Sequence, residues 1–243
     1  MSRTAVLAFG NLVYLLFLAS FVWLIGFVMN VAVPRSIDVG PAVDTSLAVF
    51  INVLLLVAFA LQHTVMARPK FKEAWTRIVP RPIERSAYSL ATVIVLAAFF
   101  VAWRPLPAIV WEARGAAAIA LSALCGLGFV IVLISTFLID HFELFGLRQV
   151  FDHFRGREHR PPAFRLSIFH RVVRHPLYVG WLVAFWATPR MTAGHLLFAA
   201  AMTAYILVAI VFEERDLMRA HGADYVEYRK RVPMLVPMLR RPS

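Results

Sequence analysis

Residues 115–140 read GAAAIALSALCGLGFVIVLISTFLID, and no charged side chain interrupts the run before Asp140. At 1.5 Å per residue, a helix over this stretch crosses the ~30 Å hydrocarbon core of a bilayer. Working outward, comparable runs occur at 6–33, 46–66, 86–103 and 192–212. A shorter one, 177–188, reaches only about 18 Å as a helix and ends at Thr188-Pro189-Arg190. It predicts the partial first arm of a helical hairpin, 177–212, whose second arm is the last long run. The stretch Val6 to Val33 is too long for a signal-peptide core and reads as a retained span. The expected fold is an all-α integral membrane protein with five to six transmembrane helices and a C-terminal helical hairpin. It reads as one membrane domain, with N-terminal spans over 1–140 and a C-terminal half over 141–243.

Composition agrees. The chain is 60% hydrophobic and 16% charged, with a mean hydropathy of +0.72, which calls for lipid as solvent. The net charge of +11 reads as basic loops beside a membrane rather than as a nucleic-acid surface. Of the 25 Lys and Arg residues, only Arg35, Arg104, Arg114 and Arg190 lie on one side of the predicted layout. The others, including Arg165, Arg240 and Arg241, collect on the opposite side, which the positive-inside rule makes cytoplasmic. With six membrane segments, both termini are then expected in the cytoplasm, and the lipid bilayer is the one partner that composition demands. Cys125 is the single cysteine, so an internal disulfide and a cysteine-based metal site are excluded; it reads as packing. The polar stretch Asp152 to Pro162, closing in Pro161-Pro162, reads as a loop, and residues 214–231 as a surface helix.

Two polar runs bracket the hairpin. The first is Arg174-His175-Pro176-Leu177-Tyr178-Val179-Gly180. Pro176 suits the first turn of a helix. Arg174 and His175 then stand just before a helix N-terminus, a favourable place for a carboxylate or phosphate. Gly180, one turn in, lets a backbone or a ligand approach closely. The second is Glu213-Glu214-Arg215-Asp216, straight after the last apolar run. A carboxylate at the membrane boundary is costly unless partnered. An antiparallel hairpin brings the two runs together, with cations for a carboxylate, carboxylates for an amine and aromatic rings for a cation. The alternatives are an interfacial Arg/Tyr anchor and a solvated acidic helix start.

The order of these motifs, continued by His221-Gly222-Ala223-Asp224-Tyr225-Val226-Glu227-Tyr228, Val232-Pro233 and Pro237, resembles the C-terminal half of the isoprenylcysteine carboxyl methyltransferase superfamily. That resemblance implies S-adenosyl-L-methionine in a cytosolic cofactor pocket at the open end of the hairpin. The implied cofactor residues are Arg174, His175, Pro176, Tyr178, Gly180, Glu213, Glu214, Arg215, Tyr225 and Tyr228. Gly126-Leu127-Gly128 lies inside an apolar span, so no Rossmann fingerprint is present. Further stretches are similar to the bacterial methanethiol S-methyltransferases of that superfamily: Leu61-Gln62-His63-Thr64-Val65-Met66-Ala67-Arg68, Pro82-Ile83-Glu84-Arg85-Ser86-Ala87-Tyr88, Trp103-Arg104-Pro105, Asp140-His141-Phe142-Glu143-Leu144-Phe145-Gly146 and 187–195.

The resemblance implies a membrane enzyme of the bacterial inner membrane that methylates a small thiol, methanethiol, to dimethyl sulfide. His141 is the candidate base, because imidazole titrates near neutral pH. Asp140 is the candidate that orients it or a neighbour. His63 and Tyr88, at the cytoplasmic ends of the second and third spans, are candidates to close the substrate pocket, and Phe142, Phe145, Trp181 and Phe185 to line it. Each also has a plain reading as an interfacial or packing residue. Rival substrates are a lipid amine, a prenylated cysteine or another thiol. A non-catalytic channel or transporter would need charges within its spans, and these spans carry almost none. A metal enzyme is disfavoured: His170 and His175 are five apart, and no H-E-x-x-H occurs. No obligate protein partner is expected.

Overall fold

The computed structural model describes residues 1–160 and 167–237. Pro161-Pro162, Arg165, Arg240 and Arg241 fall outside them. Among the described residues, five helices are long and apolar enough to cross a membrane, as expected of an all-α, multi-pass membrane protein. In chain order the elements are α1 (Arg3–Met29), α2 (Thr45–Ala67), α3 (Pro69–Trp75), α4 (Glu84–Ala102), β1 (Ile109–Glu112), α5 (Gly115–Ile139), α6 (His141–Leu144), α7 (Leu147–Phe154), α8 (Pro176–Trp186), β2 (Arg190–Thr192) and α9 (Ala193–Arg231). Short 3-10 turns precede α4 and α8, and β1 pairs with β2. Leu15, Phe50 and Val101 on the long helices are each at least 60% exposed, a surface that suits hydrocarbon rather than water.

Local chemistry sets the helix ends. Ser2 caps α1 by accepting from the Ala5 N–H at 3.1 Å, and Asp44 caps α2 by accepting from Ser46 at 2.9 Å. The first helix stops at Met29, four residues short of the predicted Val33. Asn30 takes a left-handed conformation (φ 57°) and returns its N–H to the Gly26 carbonyl. A Cβ on Gly26 would lie 2.6 Å from the Val31 carbonyl oxygen; its absence lets the chain fold back there. A second correction concerns the predicted loop from Asp152: Asp152 to Phe154 form the last turn of α7.

The chain divides into two compact units. One contains α1 to α4, α6 and α7. Here Gly10 brings α1 against α7: a Cβ at this position would lie 2.7 Å from Val150 Cγ2. At the other end of α1, Phe27, Phe99 and Trp103 interlock. The Trp103 indole donates to the Ile37 carbonyl at 3.0 Å, and the Asn52 amide brackets the backbone of Arg104. These buried polar contacts hold the chain where α4 ends.

The other unit contains α5, α8 and all but the first turn of α9. The hairpin forms as expected. Its short arm, α8, has 11 residues, and packs on α9 through Phe185 against Phe198 and a Trp186–Thr203 hydrogen bond of 2.9 Å. The long arm does not stop at the membrane boundary: it runs on as helix to the non-helical Gly222 (φ 53°, ψ −128°), where the chain kinks into a second helical segment of α9. Against the other face of α8 lies α5, with bare backbones in contact. A Cβ on Gly128 would sit 2.8 Å from the Gly180 carbonyl oxygen, and one on Gly180 would sit 2.9 Å from that of Gly128. Small residues are what allow helices to approach this closely in lipid, where dispersion and not hydrophobicity drives association.

Gly180→Val is therefore expected to push α5 from α8 and cost about 1–3 kcal/mol, seen as a lower melting temperature of the detergent-solubilised protein. Gly126→Ala, where an added Cβ meets nothing within 4 Å, is expected to melt no lower than the parent.

Candidate functional site

The start of α8 organises the site. Pro176 occupies its first turn and His175 its N-cap position. The N–H of Arg174 donates to the Pro233 carbonyl at 2.8 Å, and that of His175 to Met234 at 3.2 Å. The arginine-histidine turn is thus stitched to the segment that follows α9, where Val232-Pro233 ends the helix because proline cannot continue it.

On α9, Glu214 is buried and gathers the cations. Arg174 Nε donates to its Oε1 at 2.7 Å, His175 Nε2 lies 3.1 Å from the same oxygen, and Arg229 Nε lies 3.2 Å from Oε2. Arg174 Nη1 also donates to the Val232 carbonyl at 2.6 Å and to that of Arg229 at 3.2 Å. One carboxylate between two guanidiniums and an imidazole satisfies its desolvation with charge-assisted bonds. Glu213 differs: its side chain is 46% exposed and stands 3.7 Å from His175 Nδ1, so its charge remains available to solvent. Beside the cluster lies an open cleft of about 290 Å³ lined by Arg174, Val226, Arg229 and Lys230. Cations lining the cleft, with an accessible carboxylate nearby, suit a ligand carrying both a carboxylate and an amine.

The aromatic candidates surround this core. Tyr178 packs on the His175 ring at 5.6 Å. Tyr225 is buried and pairs with Tyr228, whose hydroxyl donates to the His170 carbonyl at 2.7 Å. Burial, reinforced by the nearby His175, holds the His170 pKa below the usual histidine value, and its Nδ1 meets Ser167 at 2.7 Å. Two expected members stand apart. Arg215 is exposed and lies over its own helix's Phe212 ring. The space left by Gly180 is filled by α5 backbone. Among the four proposed lining aromatics, Trp181 stacks on Phe185, Phe145 on Phe17, and Phe142 is exposed.

The remaining candidates belong to the other unit. His141 is 2% exposed and opens α6. Burial keeps its pKa below the usual histidine range. Asp140 caps α6 by accepting from the Glu143 N–H at 3.2 Å and pairs with Arg148 at 2.8 Å. The contact on His141 comes instead from Tyr14, whose hydroxyl lies 2.8 Å from Nε2. Tyr88 donates to the His63 carbonyl at 3.3 Å, the two rings lie 5.3 Å apart, and His63 stacks on Phe59. Arg229, Lys230 and Tyr14 were missed from sequence. The first two sit in the Tyr228-Arg229-Lys230-Arg231-Val232-Pro233 run, which reads as an ordinary basic tail, and Tyr14 carries no local signal within an apolar span.

Residues 51–236 match the family described as NnrU protein. The chain belongs to the NnrU family. It is 51% identical over 238 residues to methanethiol S-methyltransferase 2 of Bradyrhizobium diazoefficiens, covering 98% of this chain and 92% of that one. It is 50% identical to the methanethiol S-methyltransferase of Mycobacterium tuberculosis, covering 99% of both, and 47% identical to that of Crocosphaera subtropica, covering 100% and 96%. No solved structure matches. The NnrU match spans both units, so the Arg174–Glu214 cluster and the His63 and His141 segments all fall inside it.

Glu214→Gln in this NnrU-family chain is expected to strand Arg174 and His175 without their buried counter-charge and to cost about 3 kcal/mol or more. Tyr228→Phe, which loses one neutral hydrogen bond, is expected to cost about 1 kcal/mol. Thermal melts of the two purified variants check the ranking.

Proposed function

We propose that this protein transfers the methyl group of S-adenosyl-L-methionine to methanethiol, giving dimethyl sulfide, at the cytosolic face of a bacterial inner membrane with both termini in the cytosol. The observation that carries the reading is the Arg174–His175–Glu214–Arg229 cluster with its cationic cleft, in a chain about half identical, end to end, to relatives named methanethiol S-methyltransferase.

The residues fit the methyl donor. Arg229 and Lys230 face the cleft and would hold its carboxylate, Glu213 would hold its ammonium group, and Tyr178 and Tyr225 would present rings to its sulfonium charge. When bound, the sulfonium supplies an electrophilic methyl carbon. Arg174 and His175 act through Glu214 and the Pro233 and Met234 carbonyls, keeping the rim in shape. His63 and Tyr88 would bound the thiol. His141 would accept the thiol proton at a ring nitrogen, leaving the sulfur's electron pair available for the methyl group that the bound donor would supply. A thiol near its ordinary pKa is largely protonated at neutral pH, so a base raises the reactive thiolate. Because burial lowers the His141 pKa from the ordinary histidine value, the neutral, accepting form of the imidazole is favoured when thiol arrives.

The test supplies purified protein with methyl-labelled cofactor and methanethiol and measures labelled dimethyl sulfide in the headspace. Product is expected, with prenylated cysteine and lipid amine giving none. Turnover of those two instead would overturn the substrate, and no binding of S-adenosylhomocysteine by calorimetry would overturn the enzyme. Glu213→Gln is expected to raise the KM for the cofactor about tenfold while leaving the melting temperature unchanged. His141→Ala is expected to lower kcat by about 10²-fold. The parent's kcat/KM is expected to fall only as the pH drops below the usual histidine range. Stability should fall in the same window, since the unfolded chain binds the His141 and His170 protons more readily than the fold does.

A further inference from the structure

The chain between the second and third spans, residues 68–85, is held at the membrane boundary by both neighbours: α2 ends at Ala67 and α4 begins at Glu84. It carries Arg68, Lys70, Lys72, Arg77, Arg81 and Arg85 against two carboxylates, Glu73 and Glu84. Elsewhere Arg148, Arg174, Arg219, Arg229 and Arg231 each face a carboxylate. Among the described residues, Lys70, Lys72, Arg77, Arg81 and Arg85 form no ion pair. Lys72 and Arg85 are also half-buried. Burial, and then the Arg85 charge, hold the Lys72 pKa below the ordinary lysine value against the opposite pull of Glu84. Like charges in a partly desolvated place favour a bound anion.

The segment is fixed from several sides. Pro69 opens α3, Thr76 Oγ1 donates to the Lys72 carbonyl at 2.8 Å, and Val79 and Ile83 pack with Val6, Leu147 and Val150. A Cβ on Gly146 would lie 3.1 Å from Arg85 Cβ, so the chain after α6 rests on the Arg85 stem. Phe71 and Trp75, one turn apart on α3, stack at 5.8 Å, and Ile78 is 82% exposed. Aromatic rings beside lysines and an exposed apolar side chain suit the zone where headgroups meet acyl chains.

We propose that residues 68–85 are a docking surface for an anionic phospholipid, whose phosphodiester is held by Lys72 and Arg85 in the field of Lys70, Arg77 and Arg81. The proposal rests on the membrane placement of the spans and not on the methyl-transfer reading. A juxtamembrane cluster of this size attracts anionic headgroups, each basic residue near the surface adding to the attraction. The sidedness of positive charge asks nothing of the lipid, whereas half-buried cations without a counter-charge do. A lipid suits the segment better than a soluble anion, because its glycerol and acyl chains offer apolar contact to Ile78 and to the Phe71–Trp75 pair.

The full chain in nanodiscs of equimolar phosphatidylcholine and phosphatidylglycerol, released into native mass spectrometry, tests this. The parent is expected to retain phosphatidylglycerol about fivefold more often than phosphatidylcholine. Lys72→Gln/Arg85→Gln is expected to bring that ratio close to one. In discs of phosphatidylcholine alone this variant is expected to melt within about 2 °C of the parent, since it removes a repulsion and no ion pair. Should it not fold, Lys70→Gln/Arg77→Gln/Arg81→Gln, confined to exposed side chains, is expected to lower the ratio at least about twofold. Arg219→Gln/Arg231→Gln, whose charges already face Asp216 and Glu227, is expected to keep the parent's ratio. Equal retention of both lipids by the parent, an equal loss in the Arg219/Arg231 control, or an unmoved ratio in the variants of the segment overturns the inference. Full displacement of the lipid by millimolar inorganic phosphate assigns the site to a free anion and overturns the lipid as its partner.

Discussion

A single buried carboxylate governs the C-terminal unit. Glu214 sits where an apolar helix leaves the membrane, the position at which an unpaired charge is most costly. Its three partners come from two places in the chain: Arg174 and His175 ahead of α8, and Arg229 two turns beyond the bend at Gly222. Satisfying that one group fixes the turn before the short arm of the hairpin, the end of the long arm, and the carbonyls of Pro233 and Met234 that hold the turn's backbone. The cationic cleft is a by-product of this arrangement: Arg174 and Arg229, drawn to Glu214, line it with Val226 and Lys230.

The other unit holds groups of a different kind. Two of its imidazoles are held among aromatic rings, His141 by Tyr14 and Phe145 and His63 by Phe59 and Tyr88, while Asp140 pairs with Arg148. Burial lowers the His141 pKa from the ordinary histidine value. The Arg-rich surroundings of Glu214 suit instead the holding of charge.

Glycine has two distinct uses here. At Gly128 and Gly180 it removes a side chain so that α5 and α8 can touch backbone to backbone. At Gly222 it permits the positive φ that bends α9, turning Tyr225 and Arg229 back toward the start of α8. The first use is steric and the second conformational. Only the second is concerned with where functional groups end up.

From the sequence alone, the membrane class and the extent of the spans were readable, because transfer free energy depends on local composition and a helix needs only its own residues to satisfy its backbone. The start of α8 at Pro176 and the meeting of Arg174 with Glu214 were readable too, through proline's fixed geometry and the cost of a boundary carboxylate. Tertiary structure decided what depends on residues far apart in the chain. Gly180 faces a helix rather than a ligand, Asp140 is held by Arg148, and Tyr14, silent in an apolar run, reaches His141 127 positions away. Hydrogen-bond partners across such separations leave no periodic trace, because pairing is set by how helices pack and not by any property of either segment.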